Sequence, residues 1–291
     1  MFDYRYHALS LAAVLLALAV GVLIGVAIGD SNLVSSAKNG VVHELRSEVS
    51  GANHQIAQLH NQLSAEETYG QDLYQITVHG LLSGRRVGLV FLGSSSDQID
   101  GLVREAVTQA GGELVTVVAV HEPLDVSGIA QQAVGTPYAE LGTRPHLIAR
   151  LGIRIARQLV GSDHRLLAQV QGKLLSSFDG KLEGLTGLVV ARSEPEGMTS
   201  EEAQATGEFE SGLLEGAMTA GVPTVGVELS STNPSQIPWY KGHNISSVDN
   251  IDTAAGRAAL AFTLAGVHGT YGEKSTAESG LLPRVGSTSL P

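Results

Sequence analysis

From Ala8 to Gly29 the chain carries a single polar side chain, Ser10. As a helix, such a run of 22 residues reaches about 33 Å, enough to cross the hydrocarbon of a bilayer. Secretory h-regions are shorter, about 7 to 15 residues. Ala27 and Gly29 do stand where a signal peptidase expects small residues before Asp30, so a cleaved leader is the alternative, but length favours a retained anchor over 8–29, preceded by a short segment, 1–7. Gly21, Gly25 and Gly29 recur every fourth residue. On a helix they share a face on which a second span can approach closely in lipid. Arg5 precedes the span and Asp30 follows it, which favours an amino terminus inside and the rest of the chain exported.

Beyond the span the pattern changes twice. SNLVSSAKNG is polar and reads as a juxtamembrane hinge over 30–40. Over 41–78 the pattern is helical, and Val42, Leu45, Val49, Ala52, Ile56, Leu59 and Leu63 alternate three and four apart. That is the heptad seam of a coiled coil, and it implies self-association or a second coiled coil as partner. It weakens where Glu66 and Gly70 take seam positions; Tyr69, Leu73 and Ile76 then resume a stripe shifted by one step.

From Arg85 the chain alternates short apolar runs with amphipathic ones. RRVGLVFLG, ELVTVVAV, LTGLVVAR, VPTVGVEL and NISSVDNI read as strands; DQIDGLVREAVTQAGG, LIARLGIRIARQLV, HRLLAQVQGKLLSSF, SEEAQATGEFESGLLEGAMTAG and DTAAGRAALAFTLAG read as helices. Continuous apolar strands between helices imply a parallel sheet covered on both faces. The expected fold class is therefore α/β: one N-terminal transmembrane helix, a coiled-coil helix, and a Rossmann-like doubly wound parallel sheet domain over 85–268. The Gly/Ser/Thr-rich stretch 269–291 reads as a partly flexible tail.

Chemistry is sparsely marked. The net charge of −11 disfavours nucleic acid as a partner, and the absence of cysteine removes thiol nucleophiles, thiolate metal sites and disulfides. GLVFLGSSSD holds only Gly93 at its turn, short of a dinucleotide fingerprint, so Ser94, Ser95, Ser96 and Asp97 read as a helix cap and no cofactor is expected. No GxSxG occurs. His121 and Glu122 follow one strand and would meet Glu194 across a cleft; the bland reading, solvated loop charges, leaves the chain a non-enzyme. Arg150, Arg154 and Arg157 share a helix face opposite Leu147, Leu151, Ile155 and Leu159, a guanidinium ridge for an anionic partner or lipid headgroups, or one paired within the fold, for instance over the acidic helix from Glu201 to Glu215. The ten histidines form no HxH or HxxxH and the three methionines are scattered, so the metal ligands are unknown. On the heptad assignment His43, His54 and His60 fall outside the seam.

YRYHALSLAAVLLALAVGVLIG at one end, and SSVDNIDTAAGRAALAFTLAG with GTYGEKSTAESGLLP at the other, resemble the actinobacterial family named for mycobacterial copper transport protein B. The resemblance implies a cell-envelope protein linked to copper efflux and homeostasis, with copper ion among its partners, whether bound or moved, and a family description as pore-forming at the outer membrane. Corynebacterial relatives are instead linked to cell division, with a membrane partner and control of peptidoglycan hydrolases. Two expectations follow: a homo-oligomeric, membrane-anchored, non-enzymatic protein that recruits envelope partners, or a transport component whose spans assemble into a conduit.

Overall fold

The computed structural model describes residues 4–29, 31–182 and 184–284. The chain divides after Glu66 into two compact units. In the first, α1 (Tyr4–Ile28) takes in nearly the whole apolar run. It is the one helix among the described residues long and apolar enough to cross a bilayer, and every one of its side chains is exposed. Helix α2 (Ser31–Val78) follows. The segment expected as a hinge is therefore helical from Ser31 onward; nothing in it breaks a helix, since Pro is absent and its one glycine, Gly40, is interior. All seven seam residues from Val42 to Leu63 are exposed.

The last turns of α2 belong to the second unit. Tyr74 and Val78 are buried there, whereas Tyr69, Leu73 and Ile76 face out. The helix end thus turns a different stripe toward the α/β core than the one the shifted heptad indicates, and the expected coiled coil over 41–78 does not run through this end as a continuous seam. The cause is competition: Tyr74 and Val78 join Leu82 in a core that already exists, between the sheet and its helices.

That core is built on β1 (Arg86–Gly93), α3 (Asp97–Gln109), β2 (Glu113–Val120), α4 (Val126–Gln132), a 3-10 turn (Pro137–Glu140), α5 (Leu147–Val160), α6 (Arg165–Leu174), β3 (Leu175–Gly180), β4 (Gly187–Ser193), α7 (Ser200–Thr219), β5 (Thr224–Val227), α8 (Ile237–Gly242), β6 (Ser246–Val248), α9 (Ala254–Leu264) and β7 (Thr270–Tyr271). The strands form one sheet of order β3-β2-β1-β4-β5-β6-β7. Side chains alternate across it: Val87, Leu89 and Phe91 of β1 face α3 and α9, while Val90 and Leu92 face the layer of α5, α6 and α7. Both faces are covered, as a near-continuous apolar strand requires.

The sheet is mixed, not wholly parallel, because β3 runs antiparallel to β2. Helix α6 ends at the carboxyl end of β2, where His121 N–H donates to Leu174 O at 2.8 Å. A strand starting there can only run back. LSSF, expected as the end of a helix, opens that strand, LSSFDG, whose side chains are mostly exposed. In the stretch expected as a partly flexible tail, β7 pairs with β6, and Gly272, Glu273, Lys274, Glu278 and Ser279 donate backbone hydrogen bonds within the domain. Residues 285–291 lie outside the described residues.

Helices α5 and α7 pack with their backbones almost touching. A Cβ at Gly212 would lie 2.1 Å from Ala149 O, one at Gly152 2.3 Å from Phe209 O, and one at Gly216 2.6 Å from Ile153 O. Only glycine allows this approach.

Candidate functional site

The chain leaves β1 for β2 on one side and returns to β4 on the other, so β1 and β4 flank the point where strand order reverses. In open α/β sheets the crevice beyond that point is the usual ligand position. Here Gly93, at φ +92°, pairs with Ser193, and a Cβ on Gly93 would lie 2.1 Å from Ser193 O. Glycine is needed for the two strand ends to stay this close.

Four elements bring charged groups to this point. Arg192 comes from the end of β4, Glu210 from the middle of α7, Glu122 from the loop after β2, and Glu194 from the loop after β4. Arg192 Nε donates to Glu210 Oε1 at 2.8 Å, and its Nη1 to Glu194 Oε2 at 3.1 Å and Gln236 Oε1 at 2.8 Å. Its guanidinium lies over the Trp239 ring at 4.7 Å. The Arg192 backbone N–H donates to the buried Tyr240 hydroxyl at 2.9 Å. A Cβ at Gly226 would enter the Tyr240 ring, so a glycine in β5 makes room for the tyrosine.

Three carboxylate oxygens here are buried without a hydrogen-bond partner among the described residues: both of Glu122 and Oε2 of Glu210. Glu210 is fully buried. Desolvation, then the Glu210 charge, pushes the Glu122 carboxyl up to about 8, against the pull of Arg192. Glu122 therefore holds its proton at neutral pH. Burial also raises Glu210, while Arg192 opposes that rise. Burial works against the Arg192 charge, but its bonds and proximity to Glu210 and Glu194 outweigh that and raise its pKa. With all four groups ionised, three carboxylates would face one guanidinium, and a proton on Glu122 relieves the imbalance.

Ser211 and His243 lie 2.9 Å apart beside this cluster. Ser211 sits mid-helix with its hydroxyl 2.7 Å from Gly207 O, not on the exposed turn of a serine nucleophile. The pair ties α7 to α8.

A second polar network closes the ends of β5 and β6. Lys274 Nζ donates to Glu228 Oε1 at 2.6 Å, Thr232 O at 2.8 Å and Leu229 O at 3.0 Å. The carboxylate of Asp249 accepts from the backbone N–H groups of Glu273 and Lys274 at 2.8 and 2.9 Å. Gly272 is required, because a Cβ there would collide with Asp249. Arg257 of α9 reaches Gln71 Oε1 at 2.8 Å and lies 5.5 Å over the Tyr74 ring. Burial raises the Tyr74 hydroxyl to about 12, and Arg257 opposes it. The two carboxyl-terminal stretches that carry the family resemblance thus form one clamp, joining the tail, the strand ends and the end of α2.

Sequence-derived positions fall unevenly on this geometry. Glu122 and Glu194 do share one electrostatic site, whereas His121 is exposed and lies 3.2 Å from Pro123 O. Ser96 caps α3, accepting from Ile99 N–H at 3.3 Å. Arg150, Arg154 and Arg157 are exposed. Helix α5 does pack on α7, but through its glycine and apolar face, and the ridge does not cover the acidic helix. Arg154 pairs with Asp163 at 2.8 Å. Gly21 and Gly25 have open space around them, and Gly29 lies just past α1. Among the described residues no three His, Asp or Glu side chains are grouped to hold a metal ion. Arg192 and Glu210 escape a sequence reading. The available signal is spacing: Glu210 stands in the stripe Thr206, Glu210, Leu213, Ala217, whose other members are buried, and a carboxylate there needs a partner.

Fold and site define a class: an α/β head of Rossmann-type strand order with an arginine-centred cluster of carboxyl groups at the switch point, on a chain with one membrane-length apolar helix among the described residues. The chain belongs to the MctB family, whose model, described as "Copper transport outer membrane protein, MctB", matches residues 1–282. It is similar to the proteins named Copper transporter MctB of Mycobacterium bovis and Mycobacterium tuberculosis, with 32% identity over 122 residues. That alignment covers 42% of this chain and spans 38% of the relatives' length.

Proposed function

We propose that this protein is a membrane-anchored, non-enzymatic component of the cell envelope that acts in copper efflux and homeostasis. Family membership over residues 1–282 carries this reading. Helix α1 is the anchor, its glycine face at Gly21, Gly25 and Gly29 packs spans together, and the head is exported. The exposed seam of α2 joins chains outside the bilayer, and the ridge of Arg150, Arg154 and Arg157 meets an anionic envelope partner or headgroup. Copper is cargo, moved by the assembly and not held as a resident cofactor. The seven-stranded sheet is open and helix-covered, unlike the closed barrel of an outer-membrane pore. A conduit would have to come from assembled spans.

The test is a deletion strain. Copper accumulation that is reversed by the full chain, and not by one whose α1 carries charged substitutions, supports the reading. Septal mislocalisation and cell-shape defects with unchanged copper tolerance would sink it in favour of a cell-division scaffold.

A further inference from the structure

We propose that α2 pairs with α2 of a second copy of this chain as a parallel, in-register, two-stranded coiled coil. This deepens the association proposed above and rests on it.

The first argument is residue type. Along the seam, Val42, Val49, Ile56 and Leu63 take one heptad position (a) and Leu45, Ala52 and Leu59 the other (d). β-Branched side chains at a with leucine at d select parallel dimers, whereas isoleucine at both, or leucine at a with isoleucine at d, shifts the preference to trimers and tetramers. Three of the four a residues here are Val or Ile, and two of the three d residues are Leu.

Solvent exposure supplies the second argument. In the single chain Val42 is 38% exposed and Leu45, Val49, Ile56, Leu59 and Leu63 are 54–64% exposed. A continuous apolar stripe over about six turns, in water, is the mark of an interaction face.

Direction comes from the anchor, because charge does not choose it. In a parallel pair the flanking contacts are Glu48 to Asn53, Gln55 to His60 and Gln62 to Glu67 of the second copy, with no like-charge clash. An antiparallel pair would even bring Arg46 to Glu67. However, the 48 residues of α2 rise about 72 Å, and antiparallel pairing would send the two α1 helices toward opposite ends of the stalk. Both enter one bilayer only when the helices run parallel. Sharing a membrane also raises the effective concentration, which offsets the shortness of the seam.

The chain contains no cysteine, so disulfide trapping is free of background. In the full chain reconstituted into phospholipid vesicles, Val49→Cys and Ile56→Cys are expected to form disulfide dimers about tenfold faster than His54→Cys, which faces outward. Helicity of each variant by circular dichroism checks the fold, and all three positions are exposed in the single chain. Trapping only when Val49→Cys and Leu59→Cys chains are mixed would establish an antiparallel pair. Chemical cross-linking that runs on to trimers would overturn the stoichiometry. Equal, slow trapping at all three positions would overturn the association itself and with it the assembly part of the proposed function.

Discussion

Glu122 shows how far burial moves one group. Its carboxyl rises from an ordinary 4.5 to about 8 because desolvation and Glu210 disfavour the charge. Below pH 4.5 folded and unfolded chains both hold the proton, so the group leaves stability unchanged. Between about pH 4.5 and 8 the folded chain keeps a proton that the unfolded chain has released. Stability then falls as pH rises, by at most about 1.4 kcal/mol per pH unit. Glu122→Gln keeps a neutral polar group in place and removes that slope. Thermal melts at pH 5 and pH 8 should show the parent losing stability across the interval and the variant losing much less. A parent whose melting temperature does not change over this range would refute the buried-acid assignment.

Among the elements, the α5–α7 contact is decided by two opposed effects of known size. Replacing a helical glycine by alanine gains about 0.5–1 kcal/mol of helix propensity. At Gly212 the new Cβ would meet Ala149 O at 2.1 Å, and overpacking of that kind costs about 1–3 kcal/mol. Gly207, one and a half turns earlier in α7, has open space within 4 Å. Urea unfolding should therefore find Gly212→Ala destabilised by about 1 kcal/mol or more and Gly207→Ala neutral to stabilised. Opposite signs from one substitution in one helix are invisible to periodicity, which reads both glycines as weak points.

At the scale of the whole molecule, the tail is a fastener. Lys274 neutralises the buried Glu228 and holds residues beyond β7 over the strand ends. Lys274→Met strips a buried carboxylate of its counter-charge and should cost roughly 3 kcal/mol. Hydrogen exchange should quicken at the backbone amides of Asp249, Glu273 and Lys274 before the rest of the sheet opens. Glu228→Gln in the same chain should restore part of the loss, since the orphaned charge is gone. If the double variant is no more stable than the single, the clamp does not work through charge.

Local composition was enough for features that depend on local physics. The apolar run makes α1, the heptad pattern makes the exposed stripe of α2, and five apolar runs make β1, β2, β4, β5 and β6. Each is specified by periodicity and burial within its own segment. The direction of β3 was not legible, because LSSFDG has little apolar character and its course is set by where α6 ends. The folding of the tail was hidden for a similar reason: Lys274 and Asp249 lie far apart in sequence, and polar residues that look solvated one by one become buried only as partners. The same holds for Arg192 and Glu210. The sequence by itself determined the membrane-length span, the exposed stripe of α2 and the five apolar strands, because those follow from the order of side chains along one segment. Tertiary structure alone decided which charges meet, which glycines are irreplaceable and which strand runs backward, because each depends on a second segment arriving at the same place.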